Sequence, residues 1–178
     1  MNFDTIEYLQ NGNEKQRQVY YVLKNNQVLS KLKKFDPIVV GTISINIDIE
    51  NSDLDIICTF SDKREFLKSI TEIFSNEKEF SIRENPYLEK PAIVAKFFLD
   101  SFEIEIFGQS IPTRHQFAYR HMIVEYNLLN KYGEVFRQQI INLKRKGYKT
   151  EPAFAKALEL QGDPYMELLK FESNENSY

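Results

Sequence analysis

Hydrophobic and polar positions follow two different periods in the first 110 residues of the chain. Apolar residues recur at helical spacing over 13–34, with a weak point at Asn25 and Asn26, and again from a cap at Ser61-Asp62 to about residue 75. Between these helical stretches lie short apolar runs that end at turn residues, as β-strands do. The alternation over 43–49 predicts a short strand or an extended turn. We place the other strands at 35–41, 53–60, 79–85, 92–99 and 102–108, and Asp100-Ser101 predicts a tight hairpin turn between the last two.

After Gly108 the apolar residues follow the helical period alone. The pattern predicts two helices over 111–133 and 134–147, and the second ends at Gly147 after a basic last turn. A third, shorter helix follows, for which Thr150 is the expected cap.

A last helix is predicted after Asp163, an acidic cap that precedes a proline at the first helical position. Strands mixed with helices, followed by helices alone, are typical of an α+β protein. We therefore predict a core over 1–110, built on a mixed sheet of about five strands flanked by helices. Residues 111–178 are predicted to form a helical C-terminal part that packs on this core.

Composition and charge narrow the class of protein. The chain of 178 residues has a formal net charge of −3, with 28% charged and 42% hydrophobic residues, which is ordinary for a globular domain. This charge gives no electrostatic footprint for long nucleic acid, although basic residues cluster over 144–149. A single cysteine, Cys58, excludes an intramolecular disulfide and favours a reducing compartment. Residues 1–16 lack the apolar segment of a signal peptide, and no run of about 18 apolar residues exists. We therefore expect a cytoplasmic protein with no membrane partner.

Two pairs of carboxylates stand on strands that are otherwise apolar. Asp53 and Asp55 begin one apolar run, and Glu103 and Glu105 have the same spacing within FEIEIF. Residues at i and i+2 of a strand share a face, so each pair places two like charges side by side. A divalent cation removes that repulsion, and Mg²⁺ prefers carboxylate oxygens. We predict a site for Mg²⁺ or Mn²⁺ at Asp53, Asp55 and a third carboxylate. Glu105 is favoured over Glu103 for this third position because it lies deeper in the apolar run.

A glycine and a hydroxyl residue end the strand that precedes the two aspartates. Gly41 lets the backbone approach an anion, and Thr42 offers a hydroxyl and an N–H, so the pair predicts a phosphate contact. The alternative is a turn in which the hydroxyl bonds to its own backbone. Gly41-Thr42, ten residues, then Asp53-Leu54-Asp55-Ile56 resembles the signature of the DNA polymerase β-like nucleotidyltransferase superfamily. The likeness covers roughly 14–108. Thr42 departs from the Gly or Ser usual in that signature and keeps a hydroxyl.

This resemblance implies a nucleotidyltransferase-like fold and an activity. It implies that Asp53, Asp55 and Glu105 are catalytic and bind two Mg²⁺ (or Mn²⁺) ions, and that the Gly41-Thr42 turn holds a triphosphate. The implied reaction is metal-dependent transfer of a nucleotide from a nucleoside triphosphate to an acceptor. A small molecule, a protein and a short RNA end remain open as acceptors. The alternative function is a non-catalytic module that keeps the fold to bind a nucleotide or a protein partner.

The C-terminal part carries a narrower resemblance and further candidates. Two of its segments resemble a bacterial family of uncharacterised, nucleotidyltransferase-like proteins, so that likeness extends over nearly the whole chain; they are 106–129 and 149–169. Arg120 and Lys149 are candidate contacts for the nucleotide or the acceptor. His121 and Glu125 form an i, i+4 pair that either supports this contact or is a solvated or packing pair. Lys149 precedes a helix start, where either anion binding or plain capping is expected.

Overall fold

The computed structural model describes residues 1–85 and 90–172, which fold around one five-stranded sheet. The strands are β1 Ile38–Val40, β2 Leu54–Thr59, β3 Lys78–Asn85, β4 Ala92–Leu99 and β5 Phe102–Gln109. They lie in the order β1-β2-β5-β4-β3; β2 and β5 are parallel, and the other neighbouring strands are antiparallel. The predicted α+β class, with a mixed sheet of five strands flanked by helices, is confirmed.

Helices surround this sheet and continue to the end of the described chain. They are α1 Glu7–Gln10, α2 Glu14–Asn25, α3 Val28–Lys31, α4 Gly41–Ser44, α5 Lys63–Phe74, α6 Phe117–Arg145, α7 Thr150–Ala157 and α8 Pro164–Leu169, with short 3-10 turns at Lys33–Phe35 and Thr113–His115. Residues 173–178 of the predicted C-terminal part lie outside the described residues. Among those described, no helix combines the length and the apolar character needed to cross a bilayer.

Local hydrogen bonds explain where α2 begins and ends. The Asn13 side chain accepts from the Gln16 N–H at 2.8 Å, and the Gln16 side chain accepts from the Asn13 N–H at 3.0 Å. This reciprocal capping box satisfies two donors that an open helix end would leave unpaired. Gln27 takes a left-handed conformation (φ 54°) between α2 and α3, which confirms the break predicted at Asn25 and Asn26.

Two other caps and one hairpin follow the sequence prediction. The Asp62 carboxylate accepts from two backbone N–H groups at the start of α5, and Asp163 does the same at the start of α8. Asp100 has a φ of 52° in the tight turn between β4 and β5. The turn therefore fixes the register of that hairpin, in which Leu99 faces Phe102.

The structure decides between one pair of local alternatives and corrects one local prediction. Residues 43–49 form a turn and no strand, because α4 is followed by Asn46 in a left-handed conformation and the Ile47 N–H donates to the Thr42 carbonyl at 3.0 Å. The alternation there reflects isoleucines buried from a turn rather than a β-ladder. Thr150 is not the cap of α7; that position belongs to Lys149, and no side chain caps this end.

The two long helices predicted after residue 110 occur as one element with an interruption. Within α6, Gly133 has φ 77° and ψ −166°, which lies outside the helical region and divides the element where the sequence predicts a boundary. Helical residues continue on both sides, up to Arg145, and Gly147 follows with a positive φ of 93°. A β-carbon would be strained at these two positions, so glycine favours both breaks.

Two hydrophobic clusters pack on opposite faces of the sheet. One joins β2 and β5 to α2 and α5 and includes Leu54, Ile56, Ile104, Ile106, Phe66 and Phe74. The other joins the opposite face to the C-terminal helices and includes Val40, Ile57, Met122, Leu128 and Phe154. The second cluster thus places helices after residue 110 against the sheet, while the exact division of the chain at residue 110 stays a prediction.

Candidate functional site

The sheet brings the predicted acidic residues into one row. Asp55 on β2 is paired with Val40 on β1 and with Glu105 on β5, and Glu105 is paired in turn with Lys96 on β4. Paired residues on neighbouring strands project to the same side of a sheet. Asp53 precedes Asp55 by two residues, so it leaves the sheet on that same side. Sequence spacing alone left open whether these carboxylates meet; the strand order places them together.

The row lies on the face that the C-terminal helices cover only in part. Residues between the acidic ones, such as Leu54 and Ile104, are fully buried on the other face. Further along the acidic face, Ile57 is buried in the cluster with the C-terminal helices. The side chains of Asp53 and Glu105 are 38% and 24% exposed. The carboxylates therefore border the packed part of this face and stay open to solvent and to a ligand.

A lysine stands among the carboxylates. Lys96 Nζ lies 3.0 Å from Glu105 Oε2, 3.1 Å from Glu103 Oε1 and 3.8 Å from Asp53 Oδ2. Burial lowers the pKa of Lys96, but hydrogen bonds to Glu105 and Glu103 outweigh burial, and the pKa lies above its usual value. No local pattern in the sequence indicates Lys96 as a site residue. The two-residue hairpin turn was the available signal, since counting back from Leu99 and Phe102 aligns Lys96 with Glu105.

Asp55 carries the strongest electrostatic penalty of the acidic row. Burial raises the pKa of its carboxyl well above the usual range, and the charges of Asp53 and Glu105 raise it further. Lys96 and Lys144 act in the opposite direction without cancelling this effect. A partly buried carboxylate beside two like charges is short of positive charge, so the donor set fits a hard divalent cation.

The carboxylates do not yet form a finished coordination sphere. In residues 1–85 and 90–172, no three His, Cys, Asp or Glu side chains are grouped as metal ligands. Lys96 explains part of this, because its ammonium stands between Glu103, Glu105 and Asp53. Magnesium commonly uses only one or two carboxylates, with water and phosphate oxygens completing its shell. Asp53 and Asp55 meet that smaller requirement by residue type.

The Gly41-Thr42 turn lies directly against the acidic row. Gly41 has a positive φ of 78°, and a β-carbon there would collide with the Asp55 carboxylate. Only glycine avoids both the strained backbone and this collision. The Thr42 hydroxyl donates to Ser52 Oγ at 3.3 Å, and that oxygen accepts from the Ile49 N–H at 2.9 Å. The turn and the residues that lead into β2 are thus joined.

Cations from α2 and α6 hold the segment 45–49 that connects the turn to β2. Arg137 donates to the carbonyl of Ile45 at 2.6 Å, and Lys15 forms an ion pair with Asp48 at 3.1 Å. Lys144 donates to the carbonyl of Ile47 at 2.9 Å. These contacts fix the connection from α4 to the acidic strand.

Lys144 is a buried cation, although the sequence suggests only that it belongs to a basic cluster over 144–149. Burial lowers its pKa to about 8, although the charges of Glu125, Asp48 and Asp55 raise it. Its side chain reaches across 97 residues of sequence to Ile47. A local pattern carries no signal for such a contact.

The predicted C-terminal contacts are engaged elsewhere or exposed. Arg120 donates from Nε and NH2 to both carboxylate oxygens of Glu172, at 2.7 and 2.6 Å. His121 is buried, with Nε2 2.9 Å from the Tyr165 carbonyl, and Glu125 is buried as well. The packing alternative for this pair is therefore the observed one. Lys149 is exposed at the start of α7. Among the described residues, no hydrogen bond or ion pair joins Arg120 or Lys149 to the acidic row.

A polar cleft of about 570 Å³ adjoins the acidic row. It shares Ser52 and Glu103 with the site, and its remaining lining comes from α2, the segment before β2 and the start of β5: Asn13, Glu14, Lys15, Gln18, Glu50, Ser101 and Phe102. A second cleft is lined by residues of α6 and by Lys146, which follows that helix, and contains none of the predicted site residues.

A comparison with models of known protein families assigns the chain to one family. Residues 21–171 match the family described as "Domain of unknown function (DUF4269)". The chain belongs to the DUF4269 family. No curated protein sequence matches this DUF4269 chain.

Solved structures share the fold of this DUF4269 chain. A chain of the GLD-2/RNP-8 complex superimposes with a TM-score of 0.54 at 15% identity, covering 86% of this chain and 61% of that one. Cid1, which has RNA terminal uridylyl transferase activity, gives 0.53 at 14% identity, covering 78% and 45%. The Cid1 poly(U) polymerase with bound MgGTP gives 0.53 at 12%, covering 78% and 46%.

The low sequence identities limit what these structural similarities show about the chain. Identities of 12–15% show the fold alone, and the predicted nucleotidyltransferase-like fold is confirmed at that level. The DUF4269 chain spans 45–61% of the length of the chains it matches.

Proposed function

We propose that this protein is a metal-dependent nucleotidyltransferase that moves a nucleotide from a nucleoside triphosphate to an acceptor. The observation that supports this proposal most directly is the pairing of Asp55 with Glu105 across β2 and β5, next to Asp53 and against Gly41. This arrangement occurs on a fold similar to that of nucleotidyltransferase structures. The MgGTP bound by Cid1 supports a magnesium–triphosphate ligand for the same kind of site.

Each residue has a role in this proposal. Asp53 and Asp55 would hold Mg²⁺ or Mn²⁺, which when bound neutralises phosphate charge and favours attack at phosphorus. Glu105 accepts the proton of the acceptor hydroxyl as that oxygen bonds to the α-phosphorus. The bond from the α-phosphorus to the β-phosphate oxygen breaks, and pyrophosphate leaves. Gly41 and Thr42 are proposed to contact the phosphates.

Arg120 and Lys149 belong to the proposal as contacts for the nucleotide or the acceptor. Lys149 is exposed and free to meet an anion at the α7 start. Arg120 has to leave Glu172 before it can bind a phosphate. The acceptor is a small molecule, a protein or a short RNA end, because the net charge of −3 does not favour long nucleic acid. A cytoplasmic location agrees with one buried, unpaired cysteine, Cys58.

The alternative is a module that binds a nucleotide or a protein partner without chemistry. The ion pairs of Lys96 with Glu105 and Glu103 favour it, because the ammonium holds the Glu105 oxygen that would otherwise face the acceptor hydroxyl. The two functions differ in turnover and share nucleotide binding.

A transfer assay separates these functions. The full chain is incubated with Mg²⁺ or Mn²⁺, each of the four nucleoside triphosphates labelled at the α-phosphorus, and pools of small molecules, proteins or short RNA. We expect labelled product and pyrophosphate from the wild type and neither from Asp53→Asn. Glu72→Gln, which neutralises an exposed carboxylate on α5, is the matched control and should retain activity.

Calorimetry supplies the binding test: a triphosphate should bind more tightly than a monophosphate, and only with the metal. Transfer that persists in Asp53→Asn, or equal binding of mono- and triphosphate, would contradict the proposal.

A further inference from the structure

Lys96 occupies the space between three carboxylates, two of which, Asp53 and Glu105, belong to the trio that a nucleotidyltransferase site would offer to a metal. Its ammonium is 3.0 Å from Glu105, 3.1 Å from Glu103 and 3.8 Å from Asp53. It reaches them from β4, on the far side of β5 from Asp55. None of the ion pairs among the described residues involves Asp55, so the Lys96 ammonium compensates negative charge at one end of the acidic row only.

The backbone holds this lysine in place. Lys96 and Glu105 are paired residues of an antiparallel hairpin whose tight turn leaves no freedom of register. Its side chain is 35% exposed, and those of Glu103 and Glu105 are 40% and 24% exposed. An ammonium with two hydrogen bonds to carboxylates in a half-covered site is a stronger contact than an isolated surface ion pair.

The charges of the row favour a single additional divalent ion. Asp53, Asp55, Glu103 and Glu105 supply four negative charges, and Lys96 supplies one positive charge. One divalent cation then leaves a single negative charge. A second ion at Glu105 would lie within a few ångströms of the ammonium, and repulsion between like charges at that distance is costly.

We propose that Lys96 takes the place of one of the two metal ions, so that the site binds a single Mg²⁺ or Mn²⁺ at Asp53 and Asp55. The lysine is then a built-in counter-ion that positions Glu105, and the divalent ion occupies the end of the row next to Gly41. This inference rests on the proposed function, because both require a metal at the two aspartates.

Counting bound ions tests the inference without measuring activity. Free Mn²⁺ is titrated by electron paramagnetic resonance against the full chain at neutral pH, without nucleotide, so that only protein ligands contribute. The wild type should bind one ion per chain. Lys96→Met removes the charge and keeps the length of the side chain, and it should bind two ions and hold the first about tenfold more tightly. Lys96→Arg keeps the charge and should bind one.

Two further variants keep the count interpretable. Lys63→Met removes a lysine whose ion pair with Glu84 lies outside the site, and it should bind one ion like the wild type. If Lys96→Met unfolds from the repulsion it exposes, the double variant Lys96→Met/Glu103→Gln restores the wild-type net charge. It should still bind two ions, because no ammonium occupies the space between the carboxylates. Thermal melts identify the folded variants.

The outcomes distinguish this inference from the proposed function. Two ions in the wild type, or one ion in both the wild type and folded Lys96→Met, would overturn the counter-ion role and leave the Asp53–Asp55 metal site standing. Binding that appears only in Lys96→Met would also overturn it, because the lysine would then exclude every ion. No binding in any variant at millimolar Mn²⁺ would overturn the proposed function together with the inference.

Discussion

Asp55 on β2 and Glu105 on β5 are directly paired across parallel strands, so two carboxylates leave the sheet side by side. Like charges directly opposite one another destabilise a sheet. Asp53 adds a third charge, and burial makes the charged form of Asp55 less favourable still. The arrangement therefore lowers the stability of the metal-free protein, and the cation of the proposed function would offset that cost.

Asp55→Asn is expected to stabilise the metal-free protein at pH 7. A carboxyl whose pKa is raised in the folded state binds its proton more tightly there, so its stabilising effect is lost as the pH rises through that pKa. Urea unfolding of both proteins should show a higher free energy of unfolding for the variant at pH 7. The difference should shrink as the pH falls and vanish only below the ordinary aspartate pKa of about 3.9, where the carboxyl is protonated in both the folded and the unfolded state. Asp53→Asn, which removes one of the charges beside Asp55, should likewise stabilise the metal-free protein or leave it unchanged.

The same variants test the metal. Mg²⁺ bound only by the folded site stabilises the wild type by about 1.4 kcal/mol at ten times the dissociation constant, and both Asn variants should lose most of this gain. Glu72→Gln should retain it. Asn variants that are less stable than the wild type in chelator, with no magnesium effect on the wild type, would mean that the aspartates are structural.

Gly41→Ala is expected to destabilise the protein more than an alanine at a comparable glycine. Gly147→Ala is the matched control, because Gly147 also has a positive φ and a β-carbon there would meet no atom within 4 Å. Backbone strain costs about 1 kcal/mol at either position. At Gly41 the collision with Asp55 adds about 1–3 kcal/mol.

A double-mutant cycle shows whether the collision is the cause. In an Asp55→Ala background the carboxylate is absent, so Gly41→Ala should cost no more than Gly147→Ala. Chemical denaturation supplies the four free energies of unfolding. Equal costs of Gly41→Ala with and without Asp55 would show that the turn and the carboxylate are independent.

Arg120→Ala is expected to weaken triphosphate binding about tenfold or more, as the loss of a hydrogen bond to a charged group does. Glu172→Gln should strengthen binding, since Glu172 competes for the same guanidinium. Calorimetry with a non-hydrolysable triphosphate and Mg²⁺ measures both. If each variant lowers the melting temperature and neither changes the affinity, the Arg120–Glu172 pair only holds the end of the described chain.

The sequence predicted those features that depend on local period and spacing. The five strands, the caps at Asp62 and Asp163 and the break at Gly133 each have a local cause, and each was found. The sequence could not decide between a strand and a turn over 43–49, because buried isoleucines in a turn alternate as a strand does. Two cations of the site depend on more distant partners. Lys96 required the hairpin register, and the contact of Lys144 with Ile47 required the packing of α6.

Lys144 gives a prediction about pH. Its pKa is about 8 in the folded protein, because burial disfavours the charged ammonium, and it returns to its ordinary value of about 10.4 on unfolding. Between these two values the unfolded chain holds more protons than the folded one, so stability from this group rises with pH. Lys144→Met lacks the group and serves as the reference. The free energy of unfolding of the wild type minus that of Lys144→Met should therefore increase from about pH 8 to about pH 10 and stay constant below pH 7.

Urea titrations of both proteins at each pH measure this difference, and the contributions of groups that titrate in both proteins cancel. A difference that is flat, or that falls with pH, would show that Lys144 stays charged in the folded protein through the hydrogen bond to Ile47 and the nearby carboxylates.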